Sequence, residues 1–250
     1  MQLHNNKEWL RQKYVDEKLS TYKIAKLCNI GDECIRLRLH KFNIPIRSRS
    51  EAEHLASGNH CNLSQEAIEW INGELLGDGG LYSRCPYSAF ITYSSKYLEY
   101  IEYVRDTLKS FGIEQSGGTH KEYCKNTNTY VYHYNSRVYK ELLAIREQWY
   151  PEGKKIVPRD IKLTPLVLRQ MFIGDGSLIH GRERSPHIMI CTDSFPISCV
   201  NWFINKLFDL GFKATRQSSN RIHVSSCSTK SFLEYIGKCP VNCYQYKFEY

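Results

Sequence analysis

The sequence predicts an α+β protein made of two pseudo-symmetric halves, preceded by a small all-α block. Three observations carry this. The stretches WINGELLGDGGLY (residues 70–82) and LRQMFIGDGSLI (residues 168–179) both close an apolar, helix-forming run on Gly-Asp-Gly, with Asp78 and Asp175 97 residues apart. Each copy is followed by the same succession of extended and helical stretches. The first sixty residues read instead as short helices. A repeat of this kind sets the architecture before any single element does.

Taken in order, Trp9, Leu10 and Tyr14 recur at helical spacing from Lys7 to about Glu17. Ser20 is suited to cap a second helix that carries Ile24, Ala25 and Leu27. The turn CNIG follows, and a third helix is expected from Asp32 to Phe42. Its Ile35 and Leu39 stand four apart and face inward, leaving Arg36, Arg38, His40 and Lys41 on other faces. Residues 43–63 contain IRSRS and ASGN and read as a basic linker.

The halves start at Ser64, a helix cap, and at Thr164-Pro165, a cap followed by the favoured first-turn proline. Gly79 and Gly176 are expected to end these helices in the left-handed conformation. Gly73 and Gly77 form a small-xxx-small pair that lets two helix backbones approach closely. After Asp78 an extended segment and a helix ending at Gly112 follow, and after Asp175 the same with Gly211. Alternating polar stretches come next, NTYVYHYNSR (residues 128–137) and ATRQSSNRIHVSS (residues 214–226). In the first, Tyr130, Tyr132 and Tyr134 share one strand face, and Val131, His133 and Asn135 the other. Each half therefore reads helix, strands, helix, strands, helix.

An aspartate at such a helix end meets backbone carbonyls of partial negative charge, which favours a cation nearby. If the two helices cross side by side, Asp78 and Asp175 repel unless protons or divalent metal neutralise them. An oxygen-only pair suits Mg2+. A single Gly-Asp-Gly would read as a solvated helix cap; two copies in matching context point to shared metal.

Bulk properties agree with a nucleic-acid partner. The 250 residues carry a formal charge of +8, eighteen tyrosines and 42% hydrophobic residues. Cations and aromatic stems suit phosphates and bases. The first sixty residues hold 6 Lys and 5 Arg against 2 Asp and 5 Glu, a net +4. That block resembles the helix-turn-helix of resolvases and transcription regulators, in which the second helix of the pair lies in the major groove. Arg36, Arg38 and Lys41 on the third helix are its candidate DNA contacts, and Arg47 and Arg49 are placed to follow the phosphate backbone. No run of about 18 apolar residues suggests a membrane span, and the start MQLHNNKEWLRQKY has no apolar signal region. An intracellular protein with reduced thiols is expected, although ten cysteines are present. CPVNC (residues 239–243), near Cys227 and His223, is not a standard zinc spacing.

INGELLGDG (residues 71–79) and LRQMFIGDG (residues 168–176) resemble the two motifs of the LAGLIDADG homing endonucleases, and WYPEGKKIVPRDIKLTPLVLRQMFIGDGSL resembles that family's passage into its second motif. The resemblance covers residues 64–250. It implies a monomer, needing no protein partner, of two αββαββα halves whose sheets form a saddle over double-stranded DNA. The domains expected are 1–60, a helix-turn-helix and basic linker, 61–150 and 151–250. The activity implied is metal-dependent cleavage of both strands across the minor groove at a long asymmetric site. Asp78 and Asp175 match the acidic catalytic position, and these two with Gly77 and Gly174 match the metal site, for Mg2+ or another divalent cation such as Mn2+ or Ca2+. Lys155 and Lys247 match the family's basic catalytic positions. Arg169 and Gln170 depart from the usual small residues, Gln170 at the place of Gly73, so packing there is expected to be looser or hydrogen-bonded.

Candidate base readers on the strands are Arg84, Thr92, Ser94, His133, Arg137, Arg182, Arg184, His187, Arg216, Arg221 and His223, with the DNA-facing side left open. Intein splicing residues are absent, so a freestanding enzyme is expected. A regulator that kept the fold without cleavage and an RNA-binding intron maturase are the alternatives.

Overall fold

Asn6 opens the first helix by accepting the backbone N–H groups of Glu8 and Trp9 at 2.9 and 3.1 Å. The computed structural model describes residues 3–56, 59–125, 128–181 and 185–250. Chain contacts divide it into two compact units, Met1–Gly58 and Asn59–Tyr250. In the first, α1 (Lys7–Arg11) widens into a π-type turn over Gln12–Asp16. Ser20 caps α2 (Thr21–Cys28) through a 3.1 Å bond from Lys23 N, and α3 spans Asp32–Lys41. Leu10, Tyr14, Ile24, Ala25, Ile35, Leu39 and Ile44 form the core, while Leu27 is exposed. A further helix, α4 (Arg49–Ala56), replaces part of the expected linker. The cause is a capping box: Glu51 N donates to Ser48 Oγ at 3.2 Å, and Ser48 N donates to Glu51 Oε2 at 2.6 Å.

The second unit repeats one pattern. The first half runs α5 (Gln65–Leu76), β1 (Gly80–Cys85), β2 (Ser88–Ser95), α6 (Leu98–Ser110), β3 (His120–Cys124), β4 (Thr129–Asn135) and α7 (Glu141–Trp149). The second runs α8 (Pro165–Asp175), β5 (Gly176–Ile179), β6 (His187–Ile190), α9 (Ile197–Asp209), β7 (Ala214–Arg216), β8 (Ile222–Val224) and α10 (Ser226–Ile236), then a helical turn, Asn242–Lys247. This is the expected αββαββα, twice. The antiparallel sheets have matching orders, β1-β2-β4-β3 and β5-β6-β8-β7. Each buries one face under helices, through Leu81, Ile91, Tyr93 and Tyr134 in the first and Ile188, Ile190, Ile222 and Val224 in the second. Strand alternation leaves the other face open. Among the described residues no helix is long and apolar enough to cross a membrane, and the cysteines form no disulfide.

Ser64 and Thr164 cap α5 and α8 as expected, accepting from Ala67 N at 3.2 Å and Val167 N at 3.3 Å. The two helices cross with almost no side chain between them. A Cβ on Gly73 would lie 2.7 Å from Val167 O and 2.8 Å from Gln170 Cβ, and one on Gly77 would lie 3.4 Å from Gly174 Cα. Glycine is required here by space. The same reason corrects the expectation for Gly79 and Gly176. Neither has a positive φ, and Gly176 is extended at φ −86° and ψ 153°. A Cβ would instead meet Glu74 O at 2.8 Å from Gly79, or the Phe172 ring at 2.0 Å from Gly176.

Gly73→Ala is therefore expected to destabilise the protein by about 1–3 kcal/mol, the usual cost of overpacking. Gly118→Ala, where a Cβ meets nothing within 4 Å, should stay within about 0.5 kcal/mol of wild type. Thermal unfolding of both variants checks the pair.

Candidate active site

The crossing of α5 and α8 delivers the two repeated aspartates to one place. Asp78 stands two residues past the end of α5, and Asp175 is the last residue of α8. A Cβ built on Gly174 would lie 3.1 Å from Asp78 N and 3.6 Å from Asp78 Oδ2. Loss of solvation at the crowded helix ends raises the Asp78 carboxyl, against the pull of Lys247 and Lys155. For Asp175 burial comes first and the Asp78 charge second, and together they push the carboxyl up to about 7, even with Lys155 and Lys247 opposing. The two lysines do not return either carboxyl to its ordinary range.

Those lysines sit in equivalent places. Lys155, from the segment joining the halves, donates to Gly77 O at 3.4 Å and Gly79 O at 3.2 Å. Lys247, from the C-terminal helical turn, donates to Ile173 O at 2.5 Å and Gly174 O at 3.1 Å. Each ammonium closes the negative pole of one motif helix. Burial draws Lys155 down to about 8 and lowers Lys247 as well, while both aspartates hold them up.

Sequence reasoning missed the layer beneath. Glu74 is buried, four residues before Asp78, where burial pushes its carboxyl up to about 8. The hydrogen bond from Tyr100 opposes that rise, and the Asp78 charge adds to it. Tyr100 OH donates to Glu74 Oε1 at 2.8 Å. Gln170, fully buried, turns its amide nitrogen to Glu74 Oε1 at 3.1 Å and accepts from Tyr103 OH at 2.9 Å and Trp70 Nε1 at 3.1 Å. The departure at Gln170 is thus hydrogen-bonded. An acid inside an apolar helix, on the face that leads to Asp78, was the available signal.

The strand candidates separate by face. Arg84, Thr92, Ser94 and His133 lie on the open face of the first sheet, with Ser94 Oγ 2.8 Å from His133 Nδ1. Arg84, Thr92 and Ser94 line an open cleft of about 600 Å3 together with Asp78, Lys155 and Tyr82. His187 and His223 lie on the open face of the second sheet, ring centroids 4.8 Å apart. Arg137 is exposed just beyond β4. Arg221 is held by Asp193 at 3.1 Å. Arg216 departs from the expectation: it pairs across the strands with buried Ile222, on the helix-covered side. Arg182 and Arg184 lie outside the described residues.

In the first unit Arg36, Arg38 and Lys41 are on α3, Arg36 within 3.8 Å of Glu33, and Arg49 opens α4. Arg47 is corrected to a structural role. Its guanidinium donates to the carbonyls of Tyr14, Lys18 and Leu19 and lies 3.9 Å over the Tyr14 ring. That arrangement spends its charge on the end of the first helix.

The LAGLIDADG DNA endonuclease family matches residues 68–234. The chain belongs to this family. A relative, the uncharacterized protein MJ1098 of Methanocaldococcus jannaschii, is 29% identical over 170 residues, covering 67% of this chain and 64% of that protein. The chain thus spans less than two thirds of that relative's length. Among solved structures, the homing endonuclease I-WcaI bound to its DNA recognition sequence has a TM-score of 0.66 at 16% identity, over 84% of this chain and 97% of its own. The N-terminal LAGLIDADG domain of DUF199/WhiA follows at a TM-score of 0.46 and 16% identity, over 69% of this chain and 81% of its own.

The donor chemistry here fits a hard divalent cation. The Asp78 and Asp175 carboxylates with the Gly77 and Gly174 carbonyls are all oxygen, as Mg2+ and Mn2+ prefer. A carbonyl oxygen has two lone pairs, so its bond from a lysine leaves one for metal. Among the described residues no group of three His, Cys, Asp or Glu is placed to hold a metal, the CPVNC segment included.

A carboxyl raised to about 7 in the fold, from about 3.9 unfolded, binds more protons folded than unfolded between those values. Stability without metal should fall as pH rises through that window. A divalent cation held by these oxygens would compete with the same proton, so any rise in Tm on adding Mg2+ should grow from pH 6 to pH 8. Asp175→Asn should weaken the first trend, which the raised Glu74 and Asp78 carboxyls also carry, and should shrink the Mg2+ effect; differential scanning calorimetry with and without Mg2+ measures both.

Proposed function

We propose that this protein is a site-specific double-strand DNA endonuclease that hydrolyses phosphodiester bonds with divalent metal at a long asymmetric site. The observation that carries the reading is the meeting of two poorly solvated carboxyls and two lysines at one helix crossing, each lysine bonded to the end of one motif helix. Asp78 and Asp175, with the Gly77 and Gly174 carbonyls, would hold the metal. Bound there, it would supply Lewis-acid stabilisation of charge on the phosphate oxygens. Lys155 and Lys247 direct positive charge to the same place from a poorly solvated setting, where it acts more strongly on a developing negative charge than it would in water. The open sheet faces supply hydrogen-bonding side chains for base edges, and the overall charge of +8 favours the phosphate backbone. The first unit, by its α2-turn-α3 spacing and the exposed Arg36 and Lys41, adds contacts outside the sheets' footprint.

Selection of cleaved molecules from a randomised DNA library with Mg2+ or Mn2+ tests this. Recovered double-strand ends at one sequence support it, and DNA bound but uncut with either metal rejects it in favour of a non-cleaving regulator. On the recovered site, Asp78→Asn and Asp175→Asn should each slow double-strand cleavage at least ~100-fold with affinity near wild type. Lys155→Ala and Lys247→Ala should also lower the single-turnover rate more than affinity, and the reverse would make them phosphate anchors.

Truncation belongs after Gly58, because Asn59 Nδ2 donates to Val138 O and His60 Nδ1 pairs with Glu141 at 2.7 Å. Without residues 1–58, the footprint should shorten on one side and the salt dependence of binding should flatten. Cleavage at saturating protein should survive. An identical footprint and salt slope would give the first unit a protein-contact or folding role instead.

A further inference from the structure

The two sheets present unlike chemistry on their open faces, and that difference dictates unlike halves of the target; the inference rests on the reading of this chain as a sequence-specific DNA-binding protein. In both sheets the strand following a motif helix pairs with the next in the same way. Gly80, Leu81 and Tyr82 stand opposite Thr92, Ile91 and Phe90, and Ser177, Leu178 and Ile179 stand opposite Met189, Ile188 and His187. The pairing sets Tyr82, Phe90 and Thr92 in correspondence with Ile179, His187 and Met189. One ledge is aromatic and hydroxylic. The other sets one imidazole beside two aliphatic side chains.

Among the described residues Arg84 has no counterpart in the second sheet, where β5 ends at Ile179. The register shifts between Tyr82 and Cys85, so Ser83 and Arg84 occupy a bulge. Ser83 Oγ fixes it, donating to Ser88 O at 2.7 Å and accepting from Cys85 N at 3.3 Å. Bulges of this kind re-aim a side chain. Here the exposed guanidinium lies 5.3 Å over the Phe90 ring, which is itself 6.1 Å from Tyr82. Stacking on an aromatic plane limits the guanidinium's freedom before any ligand arrives, so less is lost when it binds. It projects into the cleft that also holds Asp78 and Lys155. On the second sheet the open face carries Ser177, Ile179, His187, Met189, Thr215 and His223, and no Arg or Lys among its described strand residues. Ile179 is 40% exposed.

In the major groove guanine alone shows two acceptors in the spacing of a guanidinium fork, and thymine alone shows a methyl group. We propose that Arg84 is a specificity-determining residue that reads one guanine through O6 and N7 beneath the first sheet, and that Ile179 and Met189 read thymine methyl groups beneath the second. The target is then a duplex with a required guanine in one half and thymine contacts in the other.

The test uses binding alone, so that failure of cleavage does not confuse it. Full-length protein in EDTA selects duplexes from a randomised library. The enriched pool should contain one fixed G·C pair in one half and T·A pairs in the other. Replacing that guanine by 7-deazaguanine removes N7 but leaves O6, and should weaken wild-type binding by roughly 2- to 12-fold, about half the worth of a bidentate pair. Arg84→Ala should be indifferent to the replacement and should lose the preference for G·C at that pair only. Uracil in place of the contacted thymines should weaken wild type but not the double variant of Ile179→Ala and Met189→Ala. Arg84 is exposed and Ile179 lies on the open face, so these variants keep the buried core intact. Uniform weakening by Arg84→Ala on all duplexes, with its base preference unchanged and a reduced salt slope, makes Arg84 a phosphate contact and overturns the proposal. A pool with no enriched pair removes sequence-specific binding itself, and this inference with it.

Discussion

The backbone contact between α5 and α8 is the constraint on which the second unit depends. Gly73 against Val167 and Gln170, and Gly77 against Gly174, bring two helix C-termini together where any Cβ at Gly73 would clash. Two consequences follow from this one approach. The negative poles of both helices converge, and the acids that follow them converge as well. Lys155 and Lys247 answer the first consequence by bonding the terminal carbonyls. They answer the second only in part, since Asp175 remains raised to about 7.

The repeat is symmetric in backbone and unequal in side chains. Gly73 faces Gln170 across the crossing, and Glu74 stands where Met171 stands in the other copy. A fully buried carboxyl is costly unless it stays neutral and bonded. Tyr100 and Gln170 provide those bonds, and Tyr103 and Trp70 complete them at the amide oxygen. One half of the crossing therefore rests on a polar network and the other on apolar packing. The open sheet faces are unequal in the same way, with a stacked arginine on one and, among the described residues of the other, an exposed Ile179 beside half-buried Met189, His187 and His223. A single chain can diverge its halves freely, whereas a homodimer would impose equality on both.

The first unit shows how little a residue's charge says about its use. Arg47 and Arg49 are neighbours but one in a basic stretch, yet the structure gives them different work. Arg47 closes carbonyls at the end of the first helix and stacks on Tyr14. Arg49 begins a helix that the Ser48–Glu51 capping box nucleates.

The sequence by itself determined the repeat, the helix starts at Ser20, Ser64 and Thr164, the succession of helix and strands in each half and the two aspartates, because each element is marked by a short local pattern that the second copy repeats. Caps and strand alternation are local physics, and a motif repeated in matching context announces itself without coordinates. The tertiary structure decided what depends on partners distant along the chain. It set which carbonyls Lys155 and Lys247 close and which strand face stays open, so that Arg84 faces the cleft while Arg216 falls on the helix side. It also made Glu74 a buried acid rather than a surface one, and made Gly79 and Gly176 answers to steric crowding rather than to a left-handed turn. The reason is common to all of these: a side chain's environment is created by residues that folding brings to it, and only the packed chain contains that information.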